Sequence, residues 1–500
     1  MLWLLAAAAI APVAERPNII LILSDDHARQ AISAYGSRII DTPGIDRLAS
    51  EGFRFDRHYT ANPICAPSRA SLLTGKHSHA NGHKDNVSTF DGTQQTFPKL
   101  LQQGGYETAA IGKWHLVSDP TGFDHWEVLP GQGLYHNPDF LTPKGRHREE
   151  GYVTDLVTDK ALKWLNGAHD KPFFLMIGHK APHRNWVPDF RQLPNFRRWD
   201  FPEPPTLRTE YDGLVSAAKN VRMRIDQHMR TDVDLLIDFV PPRIEGAAAE
   251  RWRSFMIPQS EEYKRRLASS NDLLGVNFQR YLQNYLRCVA SVDESVRRVL
   301  DHLDRSGLSK NTLVVYSSDQ GFFLGENAWY DKRWFYEPSA GTPLIVRMPE
   351  SLGRHARTAD ILTSNVDLAP TFLELARLPV PADLHGRSFA RFLLGNDRSP
   401  IQNAVYGHFY ENDDPDHKAP RYVAIATERH KLIYYYDLGG WELFDVLSDP
   451  LEQKNLWAEP RASQVRSELV RKLIAEQRRL REDPEIIEAV ARAAKGLGIE

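Results

Sequence analysis

Four acceptor side chains in this sequence suit a hard cation: Asp25 and Asp26 in one place, Asp319 and Gln320 in another. Adjacent carboxylates repel, so they need protons or a cation, and calcium takes six to eight oxygens at about 2.3–2.6 Å. Taken alone, an Asp-Asp pair reads as solvated loop acids. Cys65 is a third feature, opening the run C-A-P-S-R-A-S-L-L-T-G. Pro67 suits a first helical turn and Gly75 a C-terminal cap, which sets the thiol at a helix N-terminus. Free amides there favour an anion, and Arg69 adds positive charge about one turn on. By composition alone a buried structural cysteine is the ordinary reading. Lys113 and His115 lie two apart after a strand pattern, so extended backbone would aim both to one side. K-A-P-H at 180–183 and W-Y-D-K-R around Lys332 complete the set, with no role assigned to Lys180. His77, His79 and His83 lack a completing zinc motif and read as solvated loop histidines. The Tyr run 434–436 reads as sheet core, and Trp186, close to His183, as the better platform for stacking on a ligand.

These residues need elements to gather them. Asn18 to Leu23, Tyr106 to Ile111, Phe173 to Gly178 and Thr312 to Ser317 are short apolar runs, each leading directly into one of the polar groups above. Alternating with helix patterns, they predict an α/β fold with a mainly parallel sheet covered on both faces. Ligands bind beyond the carboxyl ends of such strands, so the four exits can converge on one site. Residues 196–275 read as a charged, Pro-rich insertion with one or two helices and no chemistry. A helix and turn pattern from Leu362 to Leu394 closes the first domain. Tyr422 to Tyr436 and Trp441 to Val446 predict antiparallel strands, and Arg461 to about Leu480 a charged helix. The expected division is a leader at 1–14, a catalytic domain at 15–397 and a smaller subdomain at 398–500.

With 500 residues, 42% of them hydrophobic, and a net charge of −3, the chain can bury a large core, which excludes a disordered chain or a coiled coil. The balance of 62 basic and 65 acidic residues leaves no stripe for nucleic acid. Residues 2–14 form an apolar run, too short to span a bilayer and ending in small residues. It reads as a signal peptide without its basic start, so export to the periplasm or beyond is expected. No later apolar run approaches about 18 residues, so the mature chain should have no membrane span. Neither of the two cysteines, Cys65 and Cys288, is placed for a structural disulfide, and Cys288 lies in an amphipathic helix pattern as a core thiol. Oligomeric state is not legible.

The whole pattern says more than its parts. C-x-P-S-R-x-x-x-L-T-G from Cys65 to Gly75 and G-Y-x-T-x-x-x-G-K-x-H from Gly105 to His115 are the two signatures of type I sulfatases, and the chain resembles that family over nearly its full length. The resemblance implies an alkaline-phosphatase-like fold with a smaller C-terminal antiparallel-sheet plus helix subdomain. It implies that a formylglycine-generating maturase oxidises Cys65 to formylglycine (3-oxoalanine), which hydrates to a geminal diol. Asp25, Asp26, residue 65, Asp319 and Gln320 would hold Ca2+. Lys113 and Lys332 would bind sulfate, Arg69 would support the nucleophile, His115 would partner the diol, and His183 would protonate the departing alcohol. Segments 122–140, 180–186 and 331–339 look like the glucosamine-6-sulfatase group. They imply a 6-O-sulfated N-acetylglucosamine unit as substrate, with Trp186, His136, Asn137, His417 or Arg421 reaching the sugar. Ala340-Gly341 and Ala426 stand where that group usually carries Arg, which leaves 2-O-, 4-O- and N-sulfated sugars open. Aryl sulfates and phosphoesters or phosphonates are the rival substrates. A dead glycan-binding relative is the rival of another class, and the intact residue set speaks against it.

Overall fold

The computed structural model describes residues 16–499 except 210–212, 354, 396, 413, 415 and 497, so the expected leader lies outside the described residues. Ten strands form the main sheet in the order Arg357–Ala359, Phe53–Phe55, Leu344–Arg347, Thr312–Ser318, Asn18–Ser24, Phe173–Gly178, Glu107–Lys113, His125–Leu129, Asp139–Thr142, Gly145–Arg148. The five strands from Thr312–Ser318 to His125–Leu129 run parallel, with Ile20 in register with Leu175 on one side and Val314 on the other. Antiparallel strands flank them on both sides.

The NIILIL run is apolar at every position because both faces of its strand are covered. Ile20 and Ile22 join a core with the helices Pro43–Ser50, Val153–Leu165 and Leu273–Ser306. Ile19, Leu21 and Leu23 point the other way, into a second core with Cys65–Thr74, Phe97–Gln103 and Leu368–Leu375. At about 1.5–3 kcal/mol per fully buried aliphatic side chain, this alternation fixes the register of the strand and hence the position of its exit. Cys288 is fully buried in the long helix, as a core thiol should be.

Two strand limits differ from expectation in a way that matters. Glu107–Lys113 runs two residues beyond Ile111, so Lys113 ends the strand instead of following it. Gly112 has φ +97°, and a Cβ there would collide with the Gly178 carbonyl oxygen. Only glycine lets the two strand exits approach so closely. Residues 196–245 are irregular, as expected, and lead into the helix Gly246–Ser269.

The second sheet is antiparallel, in the order Val405–Phe409, Tyr422–Ala426, His430–Tyr435, Gly440–Asp445. One face packs under the helices Ser463–Leu480 and Pro484–Lys495, the latter not anticipated. The other face packs on Trp329, Trp334, Phe335 and Tyr336 from the main body. Tyr434 stacks on Trp441 with centroids 4.1 Å apart and Tyr435 is fully buried, so these two are sheet core. No helix of the described residues is long and apolar enough to cross a membrane.

Candidate active site

Ser24 and Ser318 are paired in register, so the residues after them, Asp25, Asp26 and Asp319, emerge side by side. An oxygen from each lies within 4.8 Å of the others. Asp26 takes a left-handed backbone (φ 65°), donates its N–H to Asp319 Oδ1 at 3.3 Å, and has its carbonyl held by the Tyr285 hydroxyl at 2.7 Å. Burial, joined by Asp331 and Asp319, pushes the Asp26 carboxyl up to about 6 against the pull of Lys332.

Cys65 is the first residue of its helix, after Ile64 in an extended conformation, and Gly75 caps the far end in a left-handed conformation. Its Sγ lies 3.5 Å from Asp25 Oδ1. The rest of the motif holds the helix onto the strand exits. Ser68 donates to the Asp319 carbonyl, and Arg69 donates Nε to Asp319 Oδ2 and Nη1 to the Lys113 carbonyl, both at 2.9 Å. Arg69 and Asp319 are both wholly buried, where a charge needs such a partner. Burial pushes the Cys65 thiol up to about 12, so the unmodified side chain is protonated and a poor nucleophile at neutral pH.

Two lysines reach these acids. Lys113 Nζ contacts Asp25 and donates to Gln132 Oε1 at 2.5 Å, while Lys332 Nζ donates to Asp26 Oδ1 and Oδ2 at 2.6 and 2.8 Å. Arg333, the neighbour that could have taken the place of Lys332, instead bonds Asp331 at 2.7 Å. The Nε2 of His183 is 3.9 Å from Asp26 Oδ2. Its Nδ1 faces the Arg184 carbonyl, which can only accept, so Nδ1 carries a hydrogen. His115 departs from the extended geometry expected of it: the strand stops at Lys113 and His115 is left-handed, φ 58°. It still bears on the same centre. Burial first, then Lys113, Arg69, Lys332 and Lys180, depress its pKa and keep the imidazole neutral.

The donor set fits a hard cation. It is all oxygen, the three acids are held together, and the buried Gln320 Oε1 has no hydrogen-bond partner while its Nε2 bonds Asp26.

Above these groups opens a cleft of about 600 Å³, lined among others by Lys180, His183, Arg184, Lys332, Arg333 and His417. One wall is Val233, Phe239, Pro241 and Pro242, from the insertion to which the sequence assigned no chemistry. The buried Asp234 of that insertion accepts Arg184 Nε and Nη2 at 2.8 and 2.7 Å and Asn185 Nδ2 at 2.6 Å. Apart from the local Arg230 N–H, which it accepts at 2.9 Å, the side-chain partners of Asp234 lie about fifty positions earlier, so nothing in the neighbouring sequence marks the tie.

Several expectations for the sugar-binding residues need correction. Trp186 is 0% exposed, packed against Tyr281 at 4.6 Å with Phe322 and Tyr330 around it, and cannot stack on a ligand. Arg421 is forked to Asp437 at 2.6 and 2.8 Å and lines a neighbouring cavity. The Asn137 amide is spent on the Arg243 carbonyl, and His136 lines the cleft with its Nε2 bonded to the Pro188 carbonyl. His417 does reach the cleft, held by Asp331 at 3.2 Å and Asp414 at 2.5 Å. His77, His79 and His83 are not solvated: His77 and His83 are buried, and His79 Nδ1 is 3.1 Å from Glu482. None of them belongs to a candidate metal cluster among the described residues.

Comparison with known proteins agrees with this geometry. The sulfatase family pattern matches residues 17–378, and that of the N-sulphoglucosamine sulphohydrolase C-terminal region matches 325–479. An N-acetylglucosamine-6-O-sulfatase of Bacteroides thetaiotaomicron is 42% identical over 498 aligned positions, covering 95% of this chain and 89% of that protein. The solved structure of BT4656 with its substrate D-glucosamine-2-N,6-O-disulfate superposes with a TM-score of 0.90 at 41% identity, covering 94% and 99% of the two chains. A phosphonate monoester hydrolase of Agrobacterium radiobacter, 21% identical with a TM-score of 0.70 over 93% and 96%, shares the fold. The architecture is the alkaline-phosphatase-like one: a large mixed sheet between helices, with a separate four-stranded antiparallel sheet.

Proposed function

The chain belongs to the sulfatase family and is a sulfuric ester hydrolase, and from that premise we propose that it removes the 6-O-sulfate of N-acetylglucosamine-type units in glycosaminoglycans or related glycans. The observation that carries this reading is the placement of Cys65 against the Asp25–Asp26–Asp319 cluster, with Lys113, Lys332 and His183 around it, under a cleft wide enough for a sugar. The 42% identical N-acetylglucosamine-6-O-sulfatase supports the choice of ester.

In this reading Cys65 is oxidised to formylglycine by a separate maturase, and Asp25, Asp26, Asp319 and Gln320 hold Ca2+ beside it. When bound, calcium would supply positive charge at this acidic cluster, and the hydrated aldehyde at residue 65 would offer one hydroxyl to attack sulfur and a second through which sulfate can leave. The chain's own side chains do the rest. With the carboxylates neutralised, Lys113 and Lys332 turn to the sulfate oxygens and offset the charge that grows there. His115, neutral, accepts a proton beside residue 65. Burial first, then Lys113, Lys332 and Lys180, keep the His183 imidazole neutral in the free site. The anionic substrate favours its imidazolium, which delivers a proton from Nε2 to the departing sugar oxygen while the Nδ1 bond to the Arg184 carbonyl fixes the ring. Arg69 keeps Asp319 and the Lys113 strand end in place. Export, expected from residues 2–14, fits a glycan substrate.

Two measurements test this. Mass spectrometry of the Cys65 peptide from the native source is expected to show a loss of about 18 Da, thiol replaced by aldehyde; an unmodified peptide would remove the nucleophile. A panel of 6-O-, 4-O-, 2-O- and N-sulfated sugars, with aryl sulfate and aryl phosphate as controls, is expected to give the highest kcat/KM for 6-O-sulfated N-acetylglucosamine. A preference of about tenfold or more for another ester would overturn the substrate while leaving the sulfatase chemistry standing.

A further inference from the structure

The cations around the reaction centre are matched one by one, except for a single ammonium. Lys113 meets Asp25, Lys332 meets Asp26, Arg69 meets Asp319, Arg333 meets Asp331 and Arg184 meets Asp234. Lys180 meets no carboxylate: it forms no ion pair or side-chain hydrogen bond among the described residues, although it is only 5% exposed. Its Nζ rests 4.8 Å over the ring centroid of Tyr135. Burial lowers this ammonium to about 8, and the more distant Asp26 offsets the penalty only in part. A buried charge is ordinarily paired, so an unmatched one lining an open cleft is a site awaiting an anion.

Its place in the fold says which anion. The Lys180 carbonyl accepts the His183 N–H at 3.0 Å, and the Tyr135 hydroxyl donates to the His183 carbonyl at 2.6 Å. Lys180, Tyr135 and His183 therefore form one corner of the cleft. His183 faces the departing sugar oxygen in the reading above, on which this inference rests, so that corner belongs to the sugar. The reacting sulfate has its own two lysines.

We propose that Lys180 is a specificity-determining residue that binds a second anionic group of the substrate, a sulfate or carboxylate carried on the same ring as the 6-O-sulfate ester or on the adjoining sugar. The 41% identical neighbour is bound to a sugar with two sulfates, so a substrate with a second anion is known in a relative. A sulfamate on the same ring and a carboxylate on an adjoining uronate are the two sources of this chemistry.

The test compares wild type with Lys180→Met and Lys180→Arg on three substrates: N-acetylglucosamine-6-sulfate, glucosamine-2-N,6-O-disulfate, and a disaccharide joining N-acetylglucosamine-6-sulfate to a uronate. The quantity read is the ratio of kcat/KM for each doubly anionic substrate to that for the singly sulfated one. Lys180→Met is expected to lower that ratio at least tenfold, chiefly through KM, for one of the two, and Lys180→Arg to restore most of it. A drop confined to the disulfate identifies the sulfamate; a drop confined to the disaccharide identifies the carboxylate. An unchanged ratio, or equal loss on all three substrates in a variant that melts like wild type, overturns the proposal. If Lys180→Met does not fold, Lys180→Arg and Lys180→Gln give the same comparison. If wild type turns over none of the 6-O-sulfated sugars, the functional reading fails instead, and the two failures are distinct.

Discussion

At the scale of single residues the site depends on how Cys65 is held. Its thiol sits 3.5 Å from Asp25, yet burial keeps it protonated near neutral pH, so the side chain as translated cannot attack an ester efficiently. Substitution Cys65→Ala removes one atom from a packed position and the only group placed to become the nucleophile. Turnover should fall by more than a thousandfold while the far-UV spectrum and melting temperature stay close to wild type. Residual activity within tenfold of wild type would refute covalent catalysis at this position. Lys332 makes the complementary case, since Asp26, Cys65 and Asp331 hold its charge against the penalty of burial.

Between elements, two buried carboxylates join segments that the sequence keeps far apart. Asp234 ties the insertion to the loop that follows His183, through Arg184 and Asn185. Asp234→Ala leaves a guanidinium without its partner, and because the Arg184 side chain is 24% exposed the loss should fall short of the about 3–5 kcal/mol of a fully buried pair. A lower melting temperature and a raised KM are expected, with Asp234→Asn partly restoring both. If KM were unchanged in a folded Asp234→Ala variant, Asp234 would be structural only. Glu482 joins the C-terminal helices to the second sheet, accepting from His408 Nδ1 at 2.9 Å and the Tyr406 hydroxyl at 2.8 Å, and to the main body through His79 at 3.1 Å. Burial opposes its ionisation, but the His408 and His79 bonds prevail and hold the carboxyl far below the model-peptide value of 4.5. A depressed carboxylate contributes stability above its unfolded pKa and loses that contribution as pH falls toward the folded one. Glu482→Gln should therefore melt lower than wild type at pH 7, and the gap should narrow below about pH 4.5. A gap independent of pH would show that shape, not charge, matters there.

For the whole molecule, the consequential feature is that three carboxylates from two strand exits are forced within 4.8 Å of one another by sheet pairing. Lys113, Lys332 and Arg69 offset them in part, and a bound divalent cation would offset them further. Exhaustive chelation should lower activity and melting temperature together, and added Ca2+ should restore both. A tightly bound ligand present at about 100 times its Kd adds some 2.7 kcal/mol to stability, enough to register in a thermal melt. Activity and melting temperature both indifferent to chelation would remove the metal from the reading.

The sequence by itself determined the local chemistry: the order of the strands' polar exits, the helix that begins at Cys65 and ends at Gly75, and the sulfatase signatures that pointed to Asp25, Lys113, His183, Asp319 and Lys332. Those are short-range facts, carried by apolar runs, a proline, a glycine and motif spacing, and side chains within one turn or strand exit move together. What only the tertiary structure decided are relations between distant segments. Trp186 looked like a sugar platform because it stands three residues from His183, and it is instead enclosed by rings contributed from positions 281, 322 and 330. Asp234 looked like one charge among many in an irregular insertion, and its two distant side-chain partners are fixed only when that insertion folds over the cleft. The His79 imidazole looked solvated until the C-terminal helices covered it with Glu482 and the Leu480 carbonyl. Lys180 showed no distinction in the sequence, because the absence of a counter-charge is a property of everything packed around a residue and not of its neighbours in the chain.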